Sequence, residues 1–243
     1  MRLLSIIFAF ITSIAHADEF RDDFNFLDES VWMVSDWQAP GGNQDHHGVS
    51  VYSNAEVVDG YLRLQLFQFE TIDGDVRSFG GEIATREPFG YGTYEFRMRA
   101  STTSSTPYGE GESLSGAVSG AFLYARDADT EIDVEFESNE RNHITHLISW
   151  KDGRRNDWSP VDLAGAPPHE GFYVYRFEWT PTEIRYYRDN ILIDTHYGDI
   201  PSIHGHMMFN HWGSHNSYWG GEATFGTVRY LYVDYFQFTP LEG

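Results

Sequence analysis

Apolar and polar side chains take turns along most of this chain, and a period of two is incompatible with a helical protein. Leu62, Leu64 and Leu66 alternate with Arg63, Gln65 and Phe67, and Tyr94, Phe96 and Met98 with Glu95, Arg97 and Arg99. Tyr173, Tyr175 and Phe177 alternate with Val174, Arg176 and Glu178. Successive side chains of a strand point to opposite faces, so each run has one face to bury. Ile184 and Tyr186, then Ile191 and Ile193, flank Arg188-Asp189-Asn190, which reads as a hairpin. Tyr230 to Phe238 reads as another long strand. Many such strands need a second layer, so the predicted fold is all-β, a jelly-roll β-sandwich of two stacked antiparallel sheets. Ser101 to Gly116 and Lys151 to Gly171, rich in Ser, Thr, Gly or Pro, are predicted surface loops. No repeat or long linker divides the chain, so one domain is expected over residues 18–243.

The chemistry sits in Thr130-Glu131-Ile132-Asp133-Val134-Glu135-Phe136. Positions i, i+2 and i+4 of a strand share a face, so Glu131, Asp133 and Glu135 point one way. Ile132, Val134 and Phe136 then point into a core. A solvated polar face is the plain alternative, but unrelieved like charges on a strand are destabilising. Two carboxyl groups flanking a sugar linkage are what glycoside hydrolysis requires. The α-carbons of Glu131 and Glu135 are about 13 Å apart at ~3.3 Å per residue, a gap that two leaning Glu side chains can narrow. One would attack the anomeric carbon and the other protonate the leaving oxygen. Asp133 between them is placed to hydrogen-bond the nucleophile and to raise the acid's affinity for a proton.

Composition narrows the partners. The formal charge is −21, which repels phosphate backbones and anionic lipid, so neither nucleic acid nor membrane is an expected partner. A neutral polysaccharide fits this field better. Residues 1–17, MRLLSIIFAFITSIAHA, carry a basic start, an apolar run and a small-x-small end. They read as a secretory signal peptide, so the protein is expected to be secreted. Cysteine is absent, and the core alone must hold the fold. The expected state is a monomer.

Glu131-Ile132-Asp133-Val134-Glu135 resembles the E-[ILV]-D-x-E signature of glycoside hydrolase family 16. The longer, bulged form of that signature would need a Glu where Phe136 stands. The short form is similar to that of bacterial lichenases, plant xyloglucan-active enzymes and fungal wall transglycosylases. The resemblance extends to Gly81-Glu82-Ile83 with Tyr91-Gly92-Thr93-Tyr94-Glu95, to Phe177-Glu178-Trp179-Thr180-Pro181 with Ile184-Arg185-Tyr186-Tyr187, and to Met207-Met208-Phe209-Asn210-His211-Trp212. It implies a concanavalin A-like sandwich of curved sheets with a concave cleft. It also implies a retaining endo-glycosidase cutting internal β-1,3-1,4, β-1,3 or β-1,4 linkages of a β-glucan. Glu131 becomes the nucleophile, Glu135 the acid/base and Asp133 the helper. Glu82, His146, Trp150, Asn210, Trp212 and Trp219 become substrate-binding residues. No catalytic cofactor is implied, but a structural calcium is, at Asp23, Gly60 and Asp234.

The chain departs from the lichenase pattern at Asp129, Ala84 and Ile148, which bears on linkage specificity more than on chemistry. His204, His206, His211 and His215 could include a metal site, but no third ligand completes a pattern, and polar decoration is the better reading. Trp37 and Asp45-His46-His47 read equally well as cleft wall or plain turn. Trp179, in an alternating apolar strand, reads as core. Arg154 and Arg155 are expected on a solvated loop. Three rival functions stay open: a transglycosylase with the same residues; a non-catalytic carbohydrate-binding sandwich, which has no need of the Glu131/Asp133/Glu135 face; and, last, an acidic extracellular structural module.

Overall fold

The alternating runs all become strands. A computed structural model describes residues 18–38, 48–139, 144–163 and 165–242. The leader expectation over residues 1–17 and that for Asp45-His46-His47 lie outside the described residues. Numbered along the chain, one sheet runs β5 (Ala55–Val58), β6 (Tyr61–Glu70), β17 (Arg229–Pro240), β8 (Gly92–Thr102), β13 (Tyr173–Trp179), β14 (Glu183–Arg188) and β15 (Ile191–Tyr197). β1 (Phe20–Asp22) pairs with the far end of β17. The second sheet runs β2 (Trp32–Val34), β7 (Val76–Thr85), β16 (His206–Gly213), β9 (Ala117–Ala125), β10 (Thr130–Ser138), β11 (Ile144–Lys151) and β12 (Arg154–Asp162). The β6–β7 hairpin passes from one sheet to the other. At its side β3 (Trp37–Gln38) pairs with β4 (Val49–Ser50), and β4 runs parallel to β7. This is the jelly-roll sandwich that the alternation predicts.

The core between the sheets is strongly aromatic. Leu62, Leu64, Tyr94, Phe96, Met98, Phe177, Phe209 and Phe236 are fully buried. Phe236 meets Trp32, Phe89 and Phe209 at ring separations of 6.1, 5.9 and 6.1 Å. Trp179 is fully buried, as its strand pattern predicts, and its indole N–H donates to the Pro201 carbonyl at 2.9 Å.

Turn chemistry fixes the registers. Asp189 and Asn190 take φ of 48° and 65° and join β14 to β15 with Arg188 opposite Ile191, the two-residue turn that matches strand twist. Asp152 and Gly153 do the same between β11 and β12, with φ of 50° and 70° and Lys151 opposite Arg154. Much of the predicted Lys151–Gly171 loop is therefore strand β12, not loop. Pro160 is tolerated because β12 is an edge strand, laddered only to β11. Arg154 and Arg155 accordingly sit on this edge strand, exposed. The predicted Ser101–Gly116 loop is also less superficial than expected. β8 runs on to Thr102, Ser104 is buried, and the Arg99 guanidinium donates to the Pro107 and Gly109 carbonyls at 2.9 Å each.

Phe236→Ala is expected to lower unfolding stability by about 3–5 kcal/mol, the range for removing a large buried aromatic. Urea unfolding followed by tryptophan emission measures it.

Candidate active site

β10 divides its side chains as the sequence predicts. Ile132, Val134 and Phe136 are at most 2% exposed and join the inter-sheet core. Glu131, Asp133 and Glu135 face the other way, on the side of the second sheet turned from that core. Burying the three apolar side chains contributes ~1.5–3 kcal/mol each. That anchors the strand firmly enough to hold three acids in a row.

Register places the neighbours. Glu135 lies opposite His146 of β11 and Gly120 of β9; Gly120 lies opposite Asn210 of β16, and Asn210 opposite Glu82 of β7. One transverse row thus collects four of the predicted site residues. A second row runs Ile148, Asp133, Phe122, Met208, and a third runs Trp150, Glu131, Tyr124, His206. A side chain on Gly120 would approach Asn210 Oδ1 to 2.4 Å, so this glycine makes room for the amide. Asn210 Oδ1 is buried without a hydrogen-bond partner, an acceptor awaiting a donor such as a sugar hydroxyl. Glu82 is held by the Ser35 hydroxyl, which donates to it at 2.6 Å. Trp212, on the same face, is 7% exposed. Trp219, in the loop after β16, packs on the His146 ring with centroids 4.6 Å apart. Trp150 has a role the sequence did not show: its indole hydrogen-bonds Asp133.

The acids share protons. Burial pushes Glu131 up to about 7, the hydrogen bond from Asp133 draws it back, and Asp129 pushes it further up. Burial pushes Glu135 up to about 8, reinforced by the charges of Glu131 and Glu137. Asp133 is raised well above the carboxylate range by burial and by both glutamates, and its hydrogen bond to Glu131 reinforces this. Asp133 therefore keeps its proton and donates it to Glu131. Burial and mutual repulsion thus raise the proton affinity of this acid face, the setting in which carboxyl groups can serve as acid and base near neutral pH.

The remaining expectations sort by position. His211 is sealed between the sheets, with its ring nitrogens 3.0 Å from the Leu64 carbonyl and the Ser101 hydroxyl, and burial lowers it to about 3. His206 bonds the Thr85 carbonyl. Among the described residues no three His, Cys, Asp or Glu side chains group as metal ligands. The calcium expectation at Asp23, Gly60 and Asp234 meets a specific obstacle. The Asp234 carboxylate accepts from Arg97 at 2.5 Å, and the Asp23 carboxylate from Arg21. The expected site draws on backbone oxygens near the first strand as well as on the Asp234 carboxylate, and of these the Asp234 carboxylate is engaged by a guanidinium here. Sequence reasoning missed Ser35, Glu137, Tyr124 and Trp158. Glu137 alone carried a signal, since it continues the acidic alternation of β10.

Residues 42–232 match the glycosyl hydrolases family 16, and the chain belongs to that family. It is a glycoside hydrolase. Endo-1,3-1,4-beta-glycanase ExoK of Rhizobium meliloti (strain 1021) is 34% identical over 232 residues, covering 90% of this chain and 78% of that protein. A beta-glucanase of Bacillus subtilis (strain 168) is 27% identical, covering 94% and 90%. The crystal structure of a prokaryotic beta-1,3-1,4-glucanase (lichenase) from a mouse hindgut metagenome superposes with a TM-score of 0.79 at 25% identity, covering 93% of this chain and all of that one.

The electrostatics predict a stability test. In the unfolded chain Glu135 ionises near the ordinary glutamate value of 4.5, whereas in the fold it holds its proton to about 8. The folded state therefore binds more protons between these values, and stability falls as pH rises through that window. Glu135→Gln is expected to stabilise the fold at pH 8 by on the order of 2 kcal/mol, with the gain vanishing toward pH 4. Denaturant melts at the two pH values check it; an equal effect at both contradicts the assignment.

Proposed function

We propose that this chain is an endo-acting β-glucanase that cuts internal linkages of a β-1,3-1,4-type glucan with retention at the anomeric centre. The observation that carries it is the alternation of Glu131, Asp133 and Glu135 on one face of β10, in register with His146, Asn210 and Glu82 and with Asp133 bonded to Glu131. The names of the relatives support the substrate class: an endo-1,3-1,4-beta-glycanase and a beta-glucanase.

In this mechanism Glu131 attacks the anomeric carbon while Glu135 gives its proton to the departing oxygen. A glycosyl ester on Glu131 results. Glu135, now ionised, takes a proton from water, and the oxygen of that water displaces Glu131. Both inversions occur at one carbon, so configuration is retained. Asp133 steadies Glu131 through its donated hydrogen bond, and Trp150 steadies Asp133. Asn210 and Glu82 face the sugar on the far side of Gly120. Water as the acceptor makes the reaction a hydrolysis; a sugar acceptor would make it a transfer. The leader-like residues 1–17 fit an exported protein that meets its polymer outside the cell, acting as a monomer.

Glu131→Gln is expected to lower kcat on mixed-linkage β-glucan at least about 10³-fold with the melting temperature preserved. Glu135→Ala is expected to regain activity with added azide, giving a β-glycosyl azide product. Reducing-sugar release and product configuration by NMR measure these outcomes. A wild-type chain that leaves a panel of β-glucans uncut would overturn the reading.

A further inference from the structure

The acidic alternation of β10 does not stop at Glu135. Glu137 continues it on the same face but behaves differently from the three acids before it. It is 6% exposed. Burial pushes its carboxyl up, but hydrogen bonds from His146, the Gly220 N–H and Asn139 outweigh that and leave it below the ordinary range. One oxygen pairs with His146 Nε2. The other accepts from the Gly220 N–H at 2.8 Å and from Asn139 Nδ2 at 2.7 Å. A carboxylate with this many donors is a fixed anion, not a proton carrier.

His146 is oriented from both sides. Its Nδ1 accepts the indole N–H of Trp158 at 3.0 Å, so the network puts the ring proton on Nε2, facing Glu137. The His146 and Trp158 rings are parallel within 8°, with centroids 5.8 Å apart. Trp219 packs against the same imidazole. The loop carrying Trp219 closes on itself through the Asn216–Gly221 bridge. It is pinned by Glu137 at Gly220 and by Gly116, whose N–H donates to the Gly220 carbonyl at 2.8 Å. Gly220 has φ of 74°, and a side chain there would approach Ser214 Cβ to 2.7 Å, so the loop has little freedom of its own. Trp158 is 42% exposed, and His146 is the direct cross-strand neighbour of Glu135.

We propose that Glu137 is a positioning residue whose buried carboxylate, joining His146 to the Gly220 N–H, sets Trp219 and Trp158 as a sugar-stacking shelf beside Glu135. Indole faces pack on the apolar faces of pyranose rings, and fixing them in advance removes the ordering cost from substrate binding. The shelf rests on the reading of this cleft as a β-glucan hydrolase site. Glu137 touches no reacting atom; it acts on binding through the aromatic residues, and its charge separately helps Glu135 hold a proton.

The test is a double-mutant cycle on mixed-linkage β-glucan. Glu137→Gln keeps the volume but cannot satisfy both His146 Nε2–H and the Gly220 N–H as the carboxylate does. KM is expected to rise about tenfold with kcat, each variant taken at its own pH optimum, within about twofold of wild type, the signature of lost binding that is equal in ground and transition states. Trp219→Ala is expected to do the same, and the double variant to fall well short of the product of the two effects, because Glu137 acts in part through Trp219. Effects that multiply, an unchanged KM, or a fall confined to kcat overturn the proposal. If Glu137→Gln does not fold, His146→Gln cuts the same pair from β11 and enters the same cycle with the same criteria. A second readout needs no turnover. Tryptophan emission of the substrate-free protein is expected to rise and shift to the red in Glu137→Gln as Trp219 leaves the imidazole. The change should be smaller when Glu137→Gln is added to Trp219→Phe, which leaves only Trp158 to report. An unchanged spectrum in the single variant overturns the shelf even if the wild type cuts no glucan. A wild type inactive on every glucan with the emission change intact overturns the functional reading alone.

Discussion

Holding several carboxyl groups side by side in a poorly hydrated cleft is the constraint on which the rest of this structure depends. Three ionised acids on one face of β10 would repel one another, and the low local polarity would magnify that repulsion. The fold answers by leaving Asp133 protonated and bonded to Glu131, and by raising Glu135 until it too holds a proton near neutrality. The opposite face of the same strand makes this tenable. Ile132, Val134 and Phe136 lock β10 into the inter-sheet core, so the strand cannot twist its acids out into water. Burial that raises proton affinity and burial that anchors the strand are two consequences of one alternation.

The same strand then changes chemistry along its length. Glu131, Asp133 and Glu135 share too few protons and too little water, whereas Glu137 is surrounded by donors and stays ionised. In the proposed reaction Glu131 and Glu135 meet the substrate while Asp133 keeps its proton, donated in a hydrogen bond to Glu131. The fourth holds its neighbours in place. Environment, not residue type, draws the line between the reactive and the supporting carboxylates.

Much of this was legible because period-two alternation reports directly on which face of a strand is buried. The inward Leu62/Leu64/Leu66 and Tyr94/Phe96/Met98 sets, the Asp189-Asn190 turn and the acids of β10 were all readable from spacing. Lys151–Gly171 was misread because Pro160 looks like a strand breaker, and only the sheet order shows β12 to be an edge where a missing N–H does no harm. The calcium expectation came from resemblance at Asp23, Gly60 and Asp234. Whether Asp234 is free is decided by Arg97, which is 137 residues away in sequence. Spacing is blind to that.

The sequence by itself determined the strand periodicity, the pairing of two glutamates with an intervening aspartate, and hence the class of chemistry, because those depend on neighbours within a few residues. Only the tertiary structure decided which strands lie beside β10, and so which groups surround its acids. Gly120 beside Asn210, Trp150 on Asp133, and His146 between Glu137 and Trp158 are contacts across registers. Proton affinity and aromatic placement are set by such through-space neighbours, since both desolvation and charge act over distances that the chain order does not encode.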